Sequence, residues 1–96
     1  MNLTHLHYVL YALELLANNK LAENAVAQKA YSRLLEFLES DELEGGYREL
    51  INENIGVLYE AKRILKIYAE GGRCNDGIIE LNYLDFKKLI DGINSI

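Results

Sequence analysis

Between residues 47 and 68 the chain repeats one pattern. Tyr47, Ile51, Asn54, Leu58, Ala61, Leu65 and Tyr68 alternate by four and three residues. That spacing keeps one side of an α-helix turned to a neighbour over three heptads. Leu50, Val57, Ile64 and Ile67 widen the stripe to the face of a globular bundle. The pattern predicts a helix over about 47–70, a rod of roughly 36 Å. Gly71 and Gly72 are placed to end it. An amphipathic rod in a short chain needs other helices to cover it, so the fold class follows from this one segment. Proline is absent, which suits uninterrupted helices elsewhere.

A first helix is expected over about 3–17, capped by Asn2 or Thr4. Leu3, Leu6, Leu10, Leu13 and Ala17 share one face, and Tyr8, Val9, Tyr11, Ala12, Leu15 and Leu16 leave little of the remainder polar. A helix apolar nearly all round is central, or it also meets another chain. A second helix is expected over about 20–39, with Ala27, Tyr31, Leu34, Leu35 and Leu38 as its stripe and Val26 and Phe37 at its flank. Residues 40–46, SDELEGG, form the clearest loop. A fourth helix is expected over about 82–93, capped by Asn82 with Asp85 three residues on. Phe86, Leu89, Ile90 and Ile93 are its inner face. The expected fold is therefore all-α: an antiparallel bundle of about four helices. Ninety-six residues are enough for one domain, 1–96, with its own core.

The segment before the last helix, GGRCNDGIIELNY, resembles half a calcium loop. With Gly77 at the sixth position of an EF-hand loop, Gly72 falls on the first, Cys74 on the third and Tyr83 on the twelfth, where oxygen ligands are required. No metal site is expected. "NDG" is instead a turn signal, and the β-branched run 78–81 admits a very short β segment.

Charge is unevenly placed. The net charge is −5, yet residues 36–60 hold eight acids against Arg48 alone. Glu36, Glu39, Asp41, Glu42, Glu44, Glu49 and Glu53 surround the turn between the second and third helices. Such a tip attracts basic surfaces and speeds their association, and at the extreme it imitates the charge of a nucleic-acid backbone. Direct nucleic-acid binding asks for the opposite balance. A smaller basic group, Lys62, Arg63 and Lys66 with Tyr59 one turn earlier and Arg73 beyond, offers an alternative site for a nucleotide or another anion.

Recognisable catalytic chemistry is absent. His5 and His7 stand two residues apart and diverge on a helix, and there is no phosphate-binding glycine loop or nucleophile elbow. Cys74 is the only cysteine, so an intramolecular disulfide is impossible and a reducing, cytoplasmic setting is expected. No apolar run is long enough to cross a membrane. The sequence reads as a non-enzymatic interaction module without a cofactor, a regulator or inhibitor that docks a basic protein partner through residues 36–53. A homodimer is expected through Leu3, Leu6, Tyr8, Tyr11 and Leu15 of the first helix and through Asn54, a polar residue inside the heptad seam.

Overall fold

The computed structural model describes residues 3–18, 24–39 and 46–95, and among them every regular element is a helix. There are five: α1 (Thr4–Ala17), α2 (Asn24–Glu39), α3 (Gly46–Glu53), α4 (Ile55–Ala69) and α5 (Asp76–Asn94). The helical bundle is as the periodicity predicts, with five helices in place of about four.

The extra helix comes from a break at Asn54, inside the predicted rod. Asn54 leaves the helical region (φ −115°, ψ 21°). Its side-chain Nδ2 donates to the Leu50 carbonyl at 2.8 Å, the same carbonyl its own backbone N–H reaches at 3.2 Å. An asparagine amide competes in this way with the helical ladder. Gly56, two residues on, lowers helix propensity further. The seam itself survives the break. Ile51, Leu58, Ala61 and Leu65 are all buried, so the packing pattern is continuous although the backbone is not.

At the other end of α4 the chain stops as the glycines predict. Gly71 is left-handed (φ 86°). Gly72 N–H bonds to the Ile67 carbonyl at 2.9 Å and Gly71 N–H to the Tyr68 carbonyl at 3.1 Å. These are the two bonds of a Schellman motif.

The last helix corrects the sequence reading most. It begins six residues before Asn82. Asn75 is the cap: it is extended (ψ 133°), and its side-chain oxygen accepts from Gly77 N–H at 2.8 Å. "NDG" is thus a helix start, with Asp76 in the first turn where its charge suits the helix dipole. Residues 78–81 lie inside this helix, so the short β segment does not form. Ile79, Asn82, Phe86, Leu89, Ile90 and Ile93 make its inner face.

Leu3 stands in the cap position of α1 without a side-chain cap bond; Asn2 lies outside the described residues. The buried face of α1 is Leu6, Val9, Ala12, Leu13 and Leu16, turned somewhat from the expected stripe. In α2, Ala27, Ala30, Leu34 and Phe37 are buried, and Tyr31 and Leu38 are half-buried.

Four helices close a ring. α1 packs on α2 and α5, α2 on α4, and α4 on α5, while α3 lies against α5 and α4. His5 near the start of α1 meets Glu36 near the end of α2, and Gln28 of α2 donates to the carbonyl of Ala69 at the end of α4. Both pairs therefore run antiparallel. One apolar cluster draws on all five helices. None of the described helices is long and apolar enough to cross a membrane.

Candidate functional site

The predicted acidic surface is divided between helices. Glu36 and Glu39 occupy the last turn of α2, which rests on α1 and α4. Glu49 and Glu53 belong to α3, which rests on α5 and α4. All four are exposed. Asp41, Glu42 and Glu44 lie outside the described residues. Glu36 stands 3.6 Å from His5 Nε2, an ion pair only while that histidine is protonated. The only other salt bridge among the described residues joins Arg63 to Glu60. Glu39, Glu49 and Glu53 are therefore not neutralised by a neighbouring cation.

The basic group is less available than its spacing suggests. Arg63 grips Glu60 with both Nε and Nη2. The bond from Arg63 holds the Glu60 carboxyl below its ordinary value, and the carboxylate raises Arg63 in return. Lys62 lies 6.0 Å from the Tyr59 ring centre. Lys66 and Arg73 are exposed.

The residues expected at a dimer interface are largely accounted for within one chain. Leu6 is fully buried in the chain's own core and has no surface to give a second copy. Tyr8 is half-buried, with Lys29 and Arg33 of α2 over its ring at 5.1 and 5.0 Å. Such cation–π contacts need no second subunit. Asn54 bonds to its own helix. Leu3 and Leu15 are half-buried, and Tyr11 is half-exposed.

Cys74 is partly covered, and burial pushes its thiol above the ordinary value. That is the reverse of what activates a nucleophile. Among the described residues no three histidine, cysteine, aspartate or glutamate side chains stand together as metal ligands would.

The structure also shows a site that sequence reasoning missed. A groove of about 340 Å³ runs between α4 and α5. Gly56, Val57 and Glu60 line it from α4; Ile78, Leu81, Asn82 and Asp85 line it from α5. Gly56 leaves it open: a Cβ there would meet nothing within 4 Å. Ile78 and Leu81 are large apolar side chains exposed to 42% and 62%, and Leu84, one turn beyond, is exposed to 45%. This is the largest concentration of uncovered aliphatic surface along any helix described.

Asn82 gives the groove its polar feature. It is the one buried polar residue among those described, at 4% exposure. Its Nδ2 donates to the Val57 carbonyl at 3.1 Å, tying α5 to α4. Its Oδ1 is buried with no hydrogen-bond partner. Flipping the amide would set its oxygen against the Val57 carbonyl, so Nδ2 is the donor to α4. A buried acceptor left unmade costs about 1–3 kcal/mol.

The sequence carried a signal for this site. Ile78, Leu81 and Asp85 follow a spacing of three and four, a second stripe on α5 facing away from Ile79, Phe86 and Ile90. The β-branched run 78–81 conceals it, because an extended segment would not hold that spacing on one face. No protein-family model, curated protein or solved structure matches the chain.

Proposed function

We propose that this protein is a non-enzymatic interaction module of the cytoplasm, a regulator or inhibitor that docks a protein partner with a basic surface. One observation carries the reading. Glu36 and Glu39 on the last turn of α2 and Glu49 and Glu53 on α3 are exposed, and among the described residues only Glu36 of these four has a cation within ion-pair distance, His5. Carboxylates left without partners repel one another. A basic partner removes that cost and is steered toward them over a Debye length of about 8 Å at physiological salt. The nucleotide alternative gains no comparable support, since Arg63 is held by Glu60.

A homodimer, if formed, rests on what α1 leaves uncovered, chiefly Tyr11. Light scattering tests it directly: a single 11.0 kDa species at micromolar concentration removes it.

The docking reading is tested by affinity capture with the wild-type chain and with Glu39→Lys/Glu53→Lys. Both substitutions fall in the last turn of a helix, where a positive charge suits the dipole, so the variant keeps its fold. It moves the net charge from −5 to −1. The expected result is a basic protein held by the wild type and lost by the variant. Equal capture by both overturns the reading.

A further inference from the structure

We propose that the groove between α4 and α5 docks an amphipathic helix of the partner, with aliphatic side chains against Ile78, Leu81 and Leu84 and a lysine or arginine near Asn82, drawn by the acidic lining residues Glu60 and Asp85. This deepens the interaction reading and rests on it, while using a different surface.

Four observations support it. First, the uncovered apolar surface is a strip. Leu84 extends the exposed side chains of Ile78 and Leu81 beyond the lining of the groove. A small molecule seated in the groove would leave Leu84 in water. A helix laid along α5 would cover all three, as helix-in-groove recognition does. Second, Asn82 lines the groove, and its covered Oδ1 has no donor within the chain. Lysine and arginine carry donors and no acceptors, so neither brings a new unpaired group. Third, the two ionisable groups of the lining, Glu60 and Asp85, are both acidic. Arg63 already serves Glu60, and among the described residues no salt bridge serves Asp85. The charge of the site is complementary to a cation and opposed to an acid. Fourth, that charge disfavours a second copy of this chain. A two-fold pairing brings the same patch against itself, setting Asp85 and Glu60 against their own kind, which like charges oppose.

The absence of a side chain at Gly56 has a place in this account. It opens one wall of the groove where a bulkier residue would stand.

The test uses the full chain, labelled with ¹⁵N, and a helical peptide with leucines at i, i+3, i+4 and i+7 and lysines elsewhere. A twin peptide carries glutamate for every lysine. The lysine peptide should shift the amides of Gly56, Val57, Ile78 and Leu81 and the side-chain amide of Asn82. Leu81→Arg should weaken it by about tenfold or more, since Leu81 is a central anchor. Leu81 is mostly exposed, so this variant should fold as the wild type does. Asn82→Leu should weaken the peptide without displacing it from the groove. The glutamate peptide should bind at least about tenfold more weakly than its twin, as charge complementarity requires.

Several results overturn the proposal. One is shifts confined to Glu36, Glu39, Glu49 and Glu53, abolished by Glu39→Lys/Glu53→Lys and untouched by Leu81→Arg. In that case the acidic ends are the whole docking surface and the interaction reading stands without the groove. Equal binding of the two peptides removes the cation. A chain that self-associates alone and becomes monomeric with Leu81→Arg makes the occupant a second copy.

Discussion

Replacing Asn82 with leucine should make the protein more stable. Asn82 is a γ-branched residue at 4% exposure among Ile79, Phe86 and Ile90 of the inner face. Its amide makes one bond, to the Val57 carbonyl at 3.1 Å, of a kind that contributes about 0.5–1.5 kcal/mol net. Against this stands the buried Oδ1 without a partner, at about 1–3 kcal/mol. Leucine has nearly the same branching, loses the bond, removes the orphan and adds apolar surface to the core. Burying an aliphatic side chain is worth about 1.5–3 kcal/mol when complete, and part of that gain applies here. The balance favours Asn82→Leu by about 1–2 kcal/mol. For a chain of this length that raises Tm on the order of 5–10 °C. Thermal melts followed by circular dichroism at 222 nm, with urea midpoints as a check, read the change. A loss of 1 kcal/mol or more would refute the reasoning. It would mean that the link from α5 to α4 outweighs the orphan oxygen, and that Oδ1 finds a donor in solution. A stabilising loss of a polar residue is the signature expected where a residue is kept for binding.

Other consequences follow from the helix ends and the one strong surface pair. Asn75→Ala should cost about 1 kcal/mol, because it deletes the cap bond to Gly77 N–H; denaturant unfolding measures this, and no change would return residues 76–81 to a loop. Gly71→Ala should cost about 1–2 kcal/mol, since any side chain is strained at φ 86°, and Gly71→Asn should cost less in the same assay. Glu60 titrates below its ordinary value in the folded chain. Its pairing with Arg63 is thus fully present above the unfolded value and fades as pH falls through the folded one. The pair is solvent-exposed and screened, so Glu60→Gln should cost only about 0.3 kcal/mol near neutrality. The difference between variant and wild type should close on acidification below the ordinary glutamate value; a gap that widens there contradicts the assignment.

The parts of the fold that were legible in the sequence are those where side-chain period and backbone agree. The four-three seam located Ile51, Leu58, Ala61 and Leu65, all buried. Gly71 and Gly72 stopped α4 because a left-handed residue is cheap only without a Cβ. The misreadings arose at three asparagines. Asn54 fits the seam by spacing, and nothing in the spacing shows that its amide would turn back on Leu50 and break the helix. Asn75 opens a dipeptide that serves equally as a turn and as a helix cap. Asn82 is polar on a buried stripe, and its spacing to Asp85 reads as a cap, which starts the helix there. Admitting Asn82 to the stripe extends the three-four spacing back to Ile79 and restores the whole of α5. The groove was illegible for a related reason. It needs α5 to be helical at Ile78 and Leu81, and it needs α4 to present the open flank at Gly56. The acidic residues and their division between the second and third helices were plain in the sequence; what it did not show is which helices α2 and α3 each pack against.

The central claim is that carboxylates at the end of α2 and on α3 draw in a basic protein. The most direct measurement is the association rate of the captured partner, by stopped flow, across salt concentrations for the wild type and Glu39→Lys/Glu53→Lys. Electrostatic steering predicts a wild-type rate that falls about tenfold or more as salt rises from about 50 to 500 mM. The variant should start slow and stay nearly flat. Rates that are the same for both chains and indifferent to salt would contradict the account.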